Sequence, residues 1–522
     1  MNYVDLFRAT LPETALEIAA LFVIVFDLGF LRRSTTKTRV GVAALVGIAG
    51  CAAAMWAVYA AGPGSLSNGS YVVLAAGGTA AVAQVAILVL TALTLLLLVD
   101  TEFTRNPGEY VSVVLMAAAG GLIISAAQDL LVIFVGLELL SLGLYILTAF
   151  AKKSEKSAEA ALKYYLFGGM STAFLLFGFS YLYGISGSTS LARVVLGTYM
   201  LPQYDRFPLL LIALVMIAVG LGFKVAAVPF HFWAPDTYEG APAPAAAFIA
   251  SVSKVASFAL LISISYTTLW YAQILYKPGH VEAILPPPGV PLPRWTPGMI
   301  NLWPLILMVL SVASMLFGNV AALAQTSVRR LLAYSAIAHA GYILIGLTFF
   351  SLTNASAQAI LYYILTYGLT TIGAFGVVGV VERATGSDKF DAFLGLQKRN
   401  PLLAAVLLVL FLSLAGIPPL VGFWAKFNLF AAVLGRGYTP TFASQVEALA
   451  MVALAIALSA VSLYYYLQVL KRAYVMPATH ESPIKAHPVT LAVLLLIAAA
   501  VVVLGCFPAL LQSWIAGFYP AI

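Results

Sequence analysis

Glu138, Lys224, Lys254 and Lys426 each stand inside an otherwise apolar stretch of this 522-residue chain. A charge at the centre of a bilayer costs about 2.5–3.5 kcal/mol on insertion scales, and such residues are usually retained to move ions or protons. Lysine suits that work, because its amine exchanges a proton where a guanidinium does not. Two of the lysines lie beside helix-breaking prolines. Lys224 precedes Pro229 in GFKVAAVPFHFWAPD (222–236), and Lys426 follows Pro418 and Pro419 in AGIPPLVGFWAKF (415–427). Proline removes a backbone donor and blocks the regular helix, so carbonyls are freed beside each lysine.

Each position also has a plainer reading. Glu138 lies about eight residues into LLVIFVGLELLSLGLYILTAF, where it is either held charged by a nearby cation or kept neutral against a backbone carbonyl. Lys224 is late in its stretch and could snorkel to an interface. Lys254, in APAPAAAFIASVSKVASFALLISISY, is close to mid-span with small residues around it, so snorkelling suits it less. A continuous helix from Pro401 would be too long on reaching Lys426. A break around Gly416–Pro419 removes that problem and puts Lys426 on a second half-helix. Lys163 and His339 form a second tier. Lys163 is early in its span, and His339, in YSAIAHAGYILIG, is either a packing residue or a relay suited by its near-neutral titration. His231 and Asp236 bracket Trp233 and read as caps of the broken loop, with gating as the alternative.

Composition restricts the class. The chain is 62% hydrophobic and 9% charged, with a mean hydropathy of +0.99; soluble domains are about 25% charged. Its apolar material comes in blocks of about 20 residues, enough for a helix to cross the hydrocarbon layer. Helices satisfy their own backbone there, and the alternating pattern of a barrel strand is missing. Fourteen spans are predicted: 13–31, 40–61, 79–99, 110–127, 130–150, 159–185, 208–228, 243–269, 300–325, 328–350, 355–381, 401–416 continued through 422–435, 447–470 and 489–512. The first run lacks the layout of a cleaved signal and reads as a retained helix.

With the N-terminus outside, seventeen of the 27 basic residues fall in cytoplasmic loops, six on the opposite side and four within spans. That bias fits the positive-inside rule. It also accounts for the net charge of +7 without nucleic acid. Trp56, Tyr59, Trp270, Tyr271 and Trp514 fall at outer span ends, as interfacial rings prefer. Cys51 and Cys506 are expected to be packed thiols, and no CxxC or Cys/His cluster suggests zinc, iron–sulfur or haem. No P-loop is present. The expected segments are 1–109 (three helices), 110–270 (five helices), a Pro-rich connector at 271–299, 300–472 (five helices) and a C-terminal helix in 473–522. Five is odd, so the second five-helix set enters from the opposite face, giving an inverted repeat with broken seventh and twelfth spans.

PFHFWAPDTYEGAPAPAAAFIASVSKVASFA (229–259), EAALKYYLFGGMSTAFLLFGFSYLYGISGST (159–189), YSAIAHAGYILIG (334–346) and GIPPLVGFWAKF (416–427) resemble the antiporter-like membrane subunits of respiratory complex I. They are closer to one branch of that family than to its L and M paralogues. The resemblance covers nearly the whole chain. It implies an all-α fold of fourteen transmembrane helices with inverted five-helix repeats. It also implies proton translocation driven by quinone reduction elsewhere in the complex. Glu138 and Lys224 match the family's ion pair, Lys254 its central lysine, Lys426 the end of the relay, and Lys163 and His339 connecting positions. No cofactor is implied in this chain; FMN, iron–sulfur clusters and quinone are expected in partner subunits. Expected partners are the paralogous and small membrane-arm subunits and the lipid of an energy-transducing membrane, most simply a bacterial plasma membrane. A subunit of a cation/proton antiporter and a structural spacer remain the alternatives.

Overall fold

The apolar blocks become helices because backbone groups at membrane depth have no water to bond. The computed structural model describes residues 7–62, 64–68, 71–101, 103–199, 207–276, 299–351, 354–435, 445–478 and 482–519. Of the expected Pro-rich connector at 271–299, residues 277–298 lie outside the described residues, while 271–276 continue the preceding helix and Met299 starts the next. In chain order the helices are α1 (Leu11–Val25), α2 (Thr36–Ala61), α3 (Gly78–Leu98), α4 (Pro107–Ala126), α5 (Leu130–Thr148), α6 (Glu155–Ser186), α7 (Leu191–Tyr199), α8 (Phe207–Val225), α9 (Trp233–Gly240) and α10 (Ala243–Tyr276). There follow α11 (Met299–Leu323), α12 (Val328–Thr348), α13 (Asn354–Thr385), α14 (Leu396–Arg399), α15 (Pro401–Ala415), α16 (Val421–Leu434), α17 (Gln445–Tyr474), α18 (Pro488–Cys506) and α19 (Pro508–Ala516). A short antiparallel hairpin, β1 (Gly64–Asn68) and β2 (Tyr71–Ala76), joins α2 to α3.

Twelve of the described helices are long and apolar enough to cross a membrane. α1, extended by a π-helical turn at Phe26–Phe30, and the broken pair α15–α16 supply the other two spans. The end of the last predicted span changes. The last span stops at Cys506 rather than 512, because Pro508 cannot continue the helix and instead starts α19. Cys51 is buried as expected, but Cys506 is exposed.

α10 is the hub. It packs against α3, α4, α5, α7, α8, α9, α11, α12 and α13. α13 in turn touches α3, α12, α15, α16, α18 and α19. The most polar residues of the interior hang from these two helices and their immediate neighbours. By contrast α5, α6 and α17 turn apolar side chains outward, among them Leu131, Val135, Leu162, Phe177 and Leu449. Such a surface suits lipid or neighbouring subunits.

Some charges lie deeper than their sequence context suggests. Glu13 and Asp27, both inside the first span, are buried. Asp27 accepts two 2.7 Å bonds from the Arg39 guanidinium, and Gln84 reaches Glu13 at 3.4 Å. Arg329 is only 4% exposed in the first turn of α12. It donates to the carbonyls of Glu239 and Ala241 at 2.8 and 2.7 Å and pairs with Glu382 at 2.7 Å. One guanidinium thus ties α9, α12 and α13 together. Arg329→Ala is expected to cost about 3 kcal/mol, the low end for a broken buried pair, because Glu382 keeps one side toward solvent. Glu382→Gln, which retains an acceptor, should cost less. Thermal melts of the purified complex measure both, and equal melting temperatures for the two variants would contradict this role.

Candidate functional site

The two helix breaks come first, because they position everything else. α8 ends at Val225, and Ala226 takes a left-handed φ of +58°, a conformation that side chains disfavour. The turn is closed by Ala226 N–H to the Phe223 carbonyl and Ala227 N–H to the Gly222 carbonyl. Val228 N–H, stripped of a helical partner, donates to Ser314 Oγ of α11 at 2.9 Å. Trp233 pins the far side: its indole donates to the Phe223 carbonyl at 2.9 Å and stacks on Tyr164 of α6 at 4.3 Å. Pro229 therefore sits where the sequence places the first break.

The second break has the same parts. α15 ends at Ala415, Gly416 caps it at φ +87°, and α16 resumes at Val421 past Pro418 and Pro419. Trp424 donates to the Gly505 carbonyl at 2.8 Å. A Cβ on Gly505 would lie 2.2 Å from the Pro419 carbonyl oxygen, so α18 reaches the break only because this residue is glycine.

Lys224, Lys254, Lys426 and His339 are 8%, 3%, 6% and 4% exposed, so all four are interior groups and the snorkelling alternatives fall away. Lys224 closes the last turn of α8, where the helix dipole favours a cation. Its ammonium donates to Ser141 Oγ of α5. Glu138, one turn away on α5 and half-buried, accepts instead from Thr172 of α6 at 2.8 Å. The two are not in direct ion contact, each being bound to a hydroxyl instead. The ion pair implied by the family resemblance is thus open in this conformation.

Lys254 projects from α10 and donates to the Ala336 carbonyl of α12. One turn further along α12, His339 shares Nδ1 with Tyr363 Oη at 2.9 Å, and the Leu414 carbonyl at the end of α15 also faces the ring. His339 is close enough to interact electrostatically with both Lys254 and Lys426. Lys426 donates to the Leu414 and Ala415 carbonyls at 3.3 and 3.0 Å and to Ser459 Oγ at 2.7 Å. Those carbonyls are the last of α15, left without helical partners by the break, and form the negative end of its dipole. The break thus makes the acceptor cup for the lysine that follows it.

Lys163 does not join this file. It is 40% exposed and pairs with Glu159 at 2.6 Å and Asp236 at 2.8 Å. Asp236 also binds Arg330 at 2.7 Å, and Arg330 binds Glu239, which binds Lys156. Asp236 is therefore part of a rim network joining α6, α9 and α12 rather than a simple loop cap. His231 is buried with Nδ1 unpartnered. Sequence reasoning passed over Ser141, Thr172, Ser459, Tyr342, Tyr363 and Tyr367. Ser141 was legible, being three residues after Glu138 and on the same helix face. The others become visible only when helices are brought together.

A broken-helix bundle with a buried lysine file defines a class, the antiporter-like membrane subunits. The chain belongs to the NADH:quinone oxidoreductase/Mrp antiporter transmembrane family, whose model matches residues 127–285 and 292–451. NADH-quinone oxidoreductase subunit N 2 of Acidobacterium capsulatum is 46% identical over 99% of both chains. Subunit N of Desulforamulus reducens is 35% identical over 96% of both. A chain of respiratory complex I from Thermus thermophilus is 31% identical, covers 96% of this chain and 98% of its own, and superposes with a TM-score of 0.73. The Mrp complex of Dietzia sp. shares the fold alone, with a TM-score of 0.76 at 19% identity.

A Cβ on Gly416 would lie 3.1 Å from Lys426 Cδ and 3.2 Å from its Nζ. Gly416→Ala therefore combines left-handed strain of about 1–2 kcal/mol with displacement of the ammonium. Gly416→Asn accepts the backbone angle more readily but still crowds the lysine. Both variants are expected to lose proton translocation, while thermal melts should show the larger destabilisation for alanine. Normal translocation by either would show that the seat of Lys426 tolerates the crowding.

Proposed function

We propose that this chain is the proton-conducting N-type subunit of the membrane arm of an NADH-quinone oxidoreductase. The observation that carries this reading is the file Glu138, Lys224, Lys254, His339 and Lys426, enclosed in the bundle between two broken helices. The subunit N identity of its relatives supplies the assembly in which such a file would act. In this reading the chain carries no redox centre. FMN, iron–sulfur clusters and quinone belong to partner subunits, and paralogous antiporter-like subunits are its neighbours. A bacterial plasma membrane suits the bacterial relatives, with the arginine and lysine rim facing the cytoplasm. The two five-helix sets, 110–270 and 300–472, act as inverted halves that each supply one break.

The cycle uses the open pair seen here. When a pulse from quinone reduction brings Glu138 and Lys224 together, the carboxylate holds the ammonium. When they separate, as in this geometry, Lys224 releases its proton toward Lys254. His339 then hands it between Lys254 and Lys426, and Lys426 delivers it to the far side. Moving one proton against about 150 mV costs about 3.5 kcal/mol. That is the size of the penalty for a single charge at membrane depth, so opening and closing one pair is an adequate switch. Lys163 stays outside the conducting file and holds the rim closed through Asp236.

The family also includes cation/proton exchangers, and the fold is shared with an Mrp complex. The test is to purify the complex through a tag on this chain, reconstitute it in liposomes and measure NADH-driven quinone reduction and proton uptake. Lys224→Ala, Lys254→Ala and Lys426→Ala are each expected to reduce proton uptake by roughly tenfold or more. Lys163→Ala should retain most of it. Full uptake in the Lys254 variant would overturn the relay, and sodium-dependent exchange without a redox donor would favour the exchanger.

A further inference from the structure

Lys254 and Lys426 are buried cations with neutral hydrogen-bond acceptors only. Among the described residues no carboxylate lies within ion-pair distance of either. Each faces a tyrosine ring instead. Lys254 Nζ is 5.5 Å from the Tyr367 ring centroid, and Lys426 Nζ is 5.4 Å from that of Tyr342. Both rings are buried. The same two rings enclose His339: the imidazole lies 4.8 Å from Tyr367 at 37° and 5.8 Å from Tyr342 at 87°. The order Lys254, Tyr367, His339, Tyr342, Lys426 is therefore continuous in space. The Tyr342 hydroxyl is already engaged by Asn319 of α11 at 3.0 Å. What Tyr342 offers its lysine is the ring, not the hydroxyl.

We propose that Tyr367 and Tyr342 are positioning residues for the step between Lys254 and Lys426, their π faces acting as the uncharged counterpart that each ammonium lacks. This rests on the relay reading above and goes beyond it. A ring quadrupole attracts a cation but not the neutral amine, most strongly where water is excluded. Each ring thus holds its lysine in place while the proton is on it and loosens its hold once the proton has left. In the transfer an N–H bond at one lysine breaks as one forms at the His339 imidazole, and an imidazole N–H then breaks as one forms at the other lysine. A carboxylate would hold the charge in place; a ring holds it weakly enough to let it go.

The test uses the intact complex in liposomes with this chain substituted at position 342 or 367. Tyr342→Phe and Tyr367→Phe keep the ring and are expected to pump within about twofold of the parent. Tyr342→Leu and Tyr367→Leu keep the bulk without the π face and are expected to slow proton uptake by roughly threefold to thirtyfold. Leucine variants that pump like the parent, or phenylalanine variants that fall as far as leucine, would overturn the proposal. If a leucine variant fails to assemble, phenylalanines of increasing fluorination at the same position weaken the π face at nearly constant shape. Uptake should then fall stepwise with fluorination, and a flat series would overturn the proposal. A parallel Lys254→Ala complex separates the two ideas. If it pumps normally, the relay itself fails; if it is inactive while the ring variants are normal, only the tyrosine role fails.

Discussion

The structure depends on one constraint: a lysine ammonium must be kept away from water without a salt-bridge partner. Stripping a cation of its hydration is expensive, and the interior has to return most of that through oriented neutral groups. Three kinds are used. Hydroxyls serve Lys224 and Lys426 through Ser141 and Ser459. Carbonyls serve Lys254 and Lys426 through Ala336, Leu414 and Ala415. Aromatic faces serve Lys254 and Lys426 through Tyr367 and Tyr342. None of these fixes the charge as firmly as a carboxylate would, and the proposed relay needs that property.

The helix breaks follow from the same need. An intact helix spends its carbonyls on its own N–H groups, leaving few acceptors at membrane depth. Interrupting α15 releases the Leu414 and Ala415 carbonyls at the place where α16 returns Lys426 to them. The freed donors are covered as well, as Ser314 covers Val228 N–H. Tryptophans fasten both interruptions through indole-to-carbonyl bonds, so each break is rigid rather than frayed. In the proposed cycle these anchored breaks would hold the lysines in place while the Glu138–Lys224 gap opens and closes.

The rim works in the opposite way. There Lys156, Lys163, Asp236, Glu239 and Arg330 form direct ion pairs, which immobilise charge and couple α6, α9 and α12. Arg329 and Glu382 extend the tie to α13. Direct pairs at the rim and neutral acceptors in the core divide the charged residues into those that hold the bundle and those suited to exchanging protons. Lys163 belongs to the first group although its sequence context places it with the second.

The sequence by itself determined the helical class, the number of spans, both breaks and the four principal charges. These are local properties: apolar length, proline and glycine at fixed points, and a charged residue in an apolar run. Lys254 was the lysine whose mid-span position least suited snorkelling. The tertiary structure alone decided what each charge touches. The opening between Glu138 and Lys224, the rim position of Lys163, the burial of Arg329 and Asp27, and the tyrosines between Lys254 and Lys426 all depend on which helix faces meet. Tyr342, Tyr363 and Tyr367 look like ordinary aromatic residues of an apolar span until α10, α12, α13 and α16 are packed around His339. Spacing along one helix says which residues share a face, but not which face of another helix lies opposite, and the proposed charge relay is assembled entirely from such meetings.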